Sequence, residues 1–219
     1  GKAAGSIWFL HLRAGLLARN FKQSKIDECV FYRGKTIFLV YVDDAILCGP
    51  SSQEIDDIIQ SLKTSFKVTD EGDISDYLGV KVTQHADSIE LTQPHLIQQI
   101  LDGLGMNDPR TKTKPKAAPS STILRRDLTG KPFNEKWDYQ MILGKMLFVQ
   151  TSTRPETAYA VNQAARFSSN PKQSHANALK YLGRYFLATK DKGLILKPDL
   201  TRSFEVHVDC DFAGNWNKE

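Results

Sequence analysis

The sequence predicts an α+β fold, and three observations carry that prediction. Runs of β-branched and aromatic residues with strand character concentrate in the first half. Apolar residues at helical spacing dominate the second half. Residues 107 to 134 have little periodicity and are rich in Pro, Ser, Thr and Lys, which reads as an extended linker across or between structural units. With 219 residues, the chain is long enough to bury a sizeable core as one large domain or two smaller ones. Hydrophobic content of 41% and charge of 25% are ordinary globular values. There is no internal repeat.

The elements follow in order. Residues 6 to 19 read as helix, with Phe9, Leu12, Leu16 and Leu17 on one side. "CVFYRGKTIFLVYVDD" reads as a strand, a turn at Arg33-Gly34 and a second strand; "AILCG" is a third strand starting directly after Asp44. Ser51 and Glu54 stand in capping-box spacing ahead of Ile55, Ile58, Ile59, Leu62 and Phe66, which predicts a helix. "YLGVKVTQHADSIELT" predicts a hairpin joined across "HADS". A helix over about 93 to 104 has Pro94 in its first turn and Gly105 as its stop. After the linker, three helical patterns begin near Asn134, at Pro155 and at Asn170-Pro171. "GLILKP" and "SFEVHVDCDFAG" return to strand.

One stretch resists a purely structural account. "FLVYVDDAILC", residues 38 to 48, sets Asp43 and Asp44 in an apolar run, and an ionised carboxylate taken from water is costly unless paired. Placing both at a hairpin tip resolves this. Asp is a good turn residue, so a solvated turn is one reading. The usual two-residue turn is Asn-Gly or Asp-Gly, however, and adjacent like charges repel unless a cation lies between them. The second reading is a site for Mg²⁺, which takes carboxylate oxygens and completes its shell with substrate phosphates.

Charge is unevenly spread, although the net value is only +4. Residues 110 to 131 carry Arg110, Lys112, Lys114, Lys116, Arg125, Arg126 and Lys131 against the single acid Asp127. Such a stretch is either a solvated basic linker or a track for a phosphate backbone. Residues 54 to 76 are acidic. Cys29, Cys48 and Cys210 form no C-x-x-C pair or disulfide framework, which favours a reducing compartment; Cys48 reads as a small core residue. His11, His85, His95, His175 and His207 have no metal-ligand spacing. No apolar run is long enough for a membrane span and no signal peptide is evident, so no membrane partner is expected. The chain opens on Gly1 without a methionine and reads as a fragment.

"YVDD" between two hydrophobic strands resembles the catalytic hairpin of reverse transcriptases. The segments around it resemble copia-type LTR retrotransposon polymerases in their order: "NFKQSKIDECVFYR", "FKVTDEGDISDYLGVKV", "ELTQPHLIQQIL", the long stretch from "YQMILGKMLF" to "FLATKDKGL", and "VHVDCDFAGNW". The resemblance implies a partial palm over 1–91, thumb and connecting helices over 92–195 with the linker 107–134, and the start of a ribonuclease H domain over 200–219. It implies RNA-directed DNA synthesis by two-metal nucleotidyl transfer, with Asp43 and Asp44 as catalytic Mg²⁺ ligands. Tyr41, Leu78, Gly79 and Val80 would lie by the primer, Leu78 to Val80 within a strand. Lys112, Lys114, Lys116, Arg125 and Arg126 would follow an RNA or DNA template–primer duplex. Asp209 would match the first metal-binding aspartate of ribonuclease H, and Lys2 would approach the incoming deoxynucleoside triphosphate. An intracellular setting, in a cytoplasmic virus-like particle or the nucleus, is implied for the parent element. Ala3 and Ser6 depart from the family's Gln and Arg in "GKAAGSIW". A further palm carboxylate and the fingers would precede residue 1, so the chain by itself is expected to be inactive. The alternative is a non-catalytic nucleic-acid-binding remnant.

Overall fold

The computed structural model describes residues 2–119, 123–199, 201–202, 206 and 208, with side chains from residue 5 onward. The chain is a mixture of helices and antiparallel sheets, an α+β fold. It forms two compact units, residues 1–74 and 75–219. By packing, the second hairpin therefore groups with the helical half, because its last strand pairs with a strand that follows the helices.

In the first unit, α1 (Lys2–Ala18) precedes four antiparallel strands in the order β1 (Lys22–Gln23), β2 (Val30–Arg33), β3 (Thr36–Tyr41) and β4 (Asp44–Cys48). Helix α2 (Ser52–Lys63) follows. Strand β3 buries Thr36, Phe38 and Val40 and leaves the intervening residues partly covered, as period-two alternation requires. Leu12 and Leu16, one helical turn apart on α1, join Phe21, Phe31, Phe38, Val40, Ile58, Leu62 and Phe66 in one core. Helix α2 begins where the sequence places it: the Ser51 hydroxyl accepts the Glu54 N–H at 3.2 Å. The β2–β3 turn lies at Gly34-Lys35, one residue later than expected, because Arg33 still pairs with Thr36. Cys48 is exposed rather than buried; it ends β4, which is an edge strand.

In the second unit, β5 (Asp76–Tyr77), β6 (Val80–Gln84), β7 (Ile89–Thr92) and β8 (Leu194–Leu196) form an antiparallel sheet. Strands β6 and β7 are joined across "HADS", as expected, and β8 lies within "GLILKP". Helices α3 (Pro94–Gly103), α4 (Tyr139–Ser152), α5 (Ala158–Ala165) and α6 (Gln173–Ala188) share a core that includes Ile100, Leu101, Ile142, Met146, Leu182 and Phe186. Gly105, at φ +69°, turns the chain out of α3 while the Met106 N–H bonds to the Leu101 carbonyl.

Two helices start later than the sequence predicts. Asp138 rather than Asn134 caps α4, its carboxylate accepting the Met141 N–H at 2.8 Å. Helix α6 opens at Gln173, because His175 Nδ1 accepts the Lys172 N–H at 2.9 Å and so caps the helix from within its first turn. Pro155 opens a short 3₁₀ turn, Pro155–Thr157, before α5. The strand expected over residues 203 to 214 falls largely outside the described residues.

The basic linker is fastened down. Its described residues lie as a strap along α5 and α6, held by backbone hydrogen bonds, by Ala117, Leu124 and Phe133 packed against the helical core, and by the Asp127 carboxylate, which accepts the Ser174 hydroxyl. The Lys114 N–H reaches the Arg184 carbonyl at 3.2 Å, and the Leu124 N–H reaches the Gln163 side chain at 3.3 Å. His175 accepts through Nδ1, so its Nε2 carries the proton and donates to the Arg125 carbonyl at 2.7 Å. The Gln173 N–H bonds to the Lys131 carbonyl at 3.0 Å. Past the strap, Glu135 accepts from Lys180 Nζ at 2.7 Å and from the Gln173 amide at 2.6 Å.

Phe186 is fully buried, and Phe186→Ala should destabilise the second unit by about 3–5 kcal/mol in urea unfolding. Lys180 beside Glu135 holds its carboxyl below the usual value of 4.5. A depressed carboxyl adds stability above its unfolded value, and that stability is lost as pH falls through the folded one. The advantage of the unmodified chain over Glu135→Gln should therefore be constant above about pH 5 and vanish progressively in more acid solution, as read by unfolding at stepped pH.

Candidate functional site

The β3–β4 hairpin pairs Ile37 with Cys48, Phe38 with Leu47, Leu39 with Ile46, Val40 with Ala45 and Tyr41 with Asp44. The two-residue turn is therefore Val42-Asp43. This corrects the expectation that Asp43 and Asp44 form the turn: Asp44 is the first residue of β4. Residues 41 to 45 are all exposed, which answers how two carboxylates fit into an apolar run. The arms are covered and the tip stands in water.

Val42 adopts φ +55°, while Asp43 has no positive φ. Positive φ at the first turn position alone is the type II′ pattern, where glycine is usual. A β-branched residue there carries backbone strain of order 1–3 kcal/mol. The Val42 carbonyl accepts the Trp8 indole N–H at 3.2 Å. Neither Asp43 nor Asp44 is ion-paired with a described residue. Among the described residues no group of three or more His, Cys, Asp or Glu could enclose a metal. Two adjacent exposed carboxylates do suit an open Mg²⁺ site, which takes one or two protein carboxylates and fills the rest of its shell with water or phosphate oxygens.

The second unit has its own pointed turn. Leu78 (φ +50°) and Gly79 (φ +77°) join β5 to β6, so they form the turn and do not lie within a strand; Val80 opens β6. Positive φ at both positions is the type I′ pattern. Gln93, buried, holds this turn, its amide donating to the Gly79 carbonyl at 3.4 Å while its oxygen accepts the Thr153 hydroxyl at 2.9 Å. A cleft beside the turn is lined by Asp76, Lys81, Gln93, His95 and Phe148.

On the strap, Lys112, Lys116, Arg125 and Arg126 are exposed and Lys114 is half-buried. Lys114 Nζ lies 5.1 Å from the Tyr181 ring centroid, a cation–π contact. Arg110 is committed to Asp108 at 2.7 Å. Lys2 is the first residue of α1, and its side chain is outside the description, as is Asp209. The sequence reading gave no role to Trp8, Gln93 or His175. Trp8 lies in "GKAAGSIW", but nothing in the pattern joins it to a turn thirty-four residues away.

The model of the family described as reverse transcriptase (RNA-dependent DNA polymerase) matches residues 1–118. The Pol polyproteins of transposons RE1 and RE2 from Arabidopsis thaliana are 30% and 31% identical to 98% of this chain. The Pol polyprotein of transposon TNT 1-94 from Nicotiana tabacum is 26% identical over 98%. The chain spans 15% of the length of the RE1 and RE2 polyproteins and 17% of TNT 1-94. No solved structure matches it. A family match over more than half the chain, together with an ordered hairpin bearing Asp43 and Asp44, has one consistent reading: the chain belongs to the reverse transcriptase family, on its copia-type retrotransposon branch.

Proposed function

We propose that this chain contributes the catalytic hairpin and the nucleic-acid-holding helices of a retrotransposon RNA-directed DNA polymerase. On this reading residues 1–91 belong to the palm, 92–195 to the thumb and connection, and 200–219 to the start of ribonuclease H with Asp209 as its first acid. The carrying observation is the exposed Asp43-Asp44 tip on a five-pair ladder in a chain of this family. Asp43 and Asp44 would hold Mg²⁺ jointly with the phosphates of the incoming deoxynucleoside triphosphate. When bound, the metal supplies charge neutralisation at the phosphoryl oxygens and lowers the pKa of the primer hydroxyl. The chain's own part is to hold both carboxylates beside Tyr41, rigidly and in water. The Leu78-Gly79 turn and Val80 would support the primer, Lys112, Lys114, Lys116, Arg125 and Arg126 the duplex phosphates, and Lys2 the triphosphate.

Two-metal transfer uses carboxylates converging from separate strands, whereas this hairpin offers a pair from one tip. The purified 219-residue chain should not extend a primer. Extension that disappears in Asp43→Asn would overturn that expectation and mean that another acid here completes the site. In a Pol polyprotein carrying this hairpin, Asp43→Asn should lower primer extension by more than about 100-fold, beyond the loss usual for an outer-shell partner; undiminished extension would refute the role of the hairpin.

Duplex affinity, read by fluorescence anisotropy, should fall steeply with salt. Its log–log slope should drop by roughly 0.9 for each phosphate contact removed when Lys112, Lys114, Lys116, Arg125 and Arg126 become Ala. An unchanged slope would make the strap a solvated basic segment.

A further inference from the structure

The Val42-Asp43 turn holds a conformation that its own sequence disfavours, so a group outside the turn must select it. Val42 stands at φ +55°, where glycine is the usual occupant. The ladder fixes Tyr41 against Asp44 but does not fix the peptide between Val42 and Asp43, which lies beyond the last pair. A peptide unit is planar, so the Val42 carbonyl and the Asp43 N–H turn together. Rotating that unit interconverts the two primed turn types with little movement of the strands, and it re-aims Asp43.

The Val42 carbonyl is the atom that accepts the Trp8 indole N–H. Trp8 is itself anchored. Its ring meets Phe66 edge-on, with centroids 6.0 Å apart and planes at 87°. Phe66 is buried in the core of the unit and occupies space that a side chain at Gly15 would fill. The His11 ring packs against Phe66 at 5.0 Å and the Arg19 guanidinium at 5.8 Å. A continuous path therefore runs from the core through Phe66 and Trp8 to the backbone at Asp43.

We propose that Trp8 is a positioning residue of the catalytic hairpin: its indole N–H latches the Val42–Asp43 peptide in one orientation and thereby sets the aim of the Asp43 carboxylate. This rests on the reading of Asp43 and Asp44 as oxygen ligands of a divalent metal. Trp8 touches neither metal nor substrate and acts through the backbone alone.

The test is Trp8→Phe in the 219-residue chain, which keeps an aromatic ring against Phe66 and removes the donor. Mn²⁺ serves as probe, because it accepts the same hard oxygen ligands and broadens nearby resonances. In Trp8→Phe the Val42 carbonyl and Asp43 amide shifts should move, those of Phe31 and Ile58 should stay, and Mn²⁺ affinity at the tip should fall about tenfold. Asp43→Asn is measured alongside. If Asp43→Asn leaves Mn²⁺ broadening at the tip unchanged, the metal reading fails and takes the proposal with it. If Asp43→Asn removes the broadening while Trp8→Phe changes neither shifts nor affinity, the proposal alone is overturned. Should Trp8→Phe not fold, the Trp8 indole proton of the unmodified chain decides. Slow exchange with solvent supports the latch, and exchange at the rate of a free indole refutes it.

Discussion

Carboxylates can be carried on an apolar strand only if the strand delivers them to water, and the β3–β4 ladder meets that constraint. Phe38 and Val40 lie in the core, while Tyr41, Val42, Asp43 and Asp44 stand clear of it. Burial of the arms drives the hairpin together, and the same burial forces the acidic pair outward, because desolvating either charge would undo the gain. The rest of the first unit serves this geometry. Helix α1 covers the sheet through Leu12 and Leu16, and its Trp8 reaches the tip.

The two units share a device. Each ends a hairpin on a turn that begins with a non-glycine residue at positive φ, Val42 in one and Leu78 in the other. In each, the carbonyl of a turn residue accepts a hydrogen bond from a side chain outside the hairpin, Trp8 in the first and Gln93 in the second. Strained turns persist where surroundings over-determine them, and here a single directional bond per turn comes from the surrounding packing. Gln93 is itself held by the Thr153 hydroxyl, so the second turn is tied to the end of α4.

Most of the fold was legible because burial periodicity is local. The alternation in "TIFLVY" and "VKVTQ" and the spacing of Ile58, Leu62 and Phe66 gave the elements at nearly their observed bounds. The candidate site was legible as a pair of acids but not as a geometry. The turn lies one residue earlier than expected because Asp is a better turn former than Val in isolation, while the bond to the Val42 carbonyl comes from helix α1, far away in sequence. Leu78-Gly79 reads as strand in the sequence because nothing nearby announces that Gln93 holds the Gly79 carbonyl. Helix α6 started late because a histidine within the first turn, rather than Asn170, supplies the cap. Cys48 has the residue type of a core position, but its strand lies at the sheet edge, a place that residue type does not reveal.

The strap from 107 to 134 divides its labour between backbone and side chain. Its hydrogen bonds at Lys114, Leu124, Arg125 and Lys131 use amide N–H or carbonyl groups, which nearly every amino acid provides, and Ala117, Leu124 and Phe133 add apolar packing. The charged ends at Lys112, Lys116 and Arg126 are exposed and are not what fastens the segment. Charge at these three positions is thus freed from the requirement to fold. A lineage can add, lose or reverse a cation there by single substitutions while the strap stays where it is, so the electrostatic character of this face can drift or adapt far faster than the core beneath it.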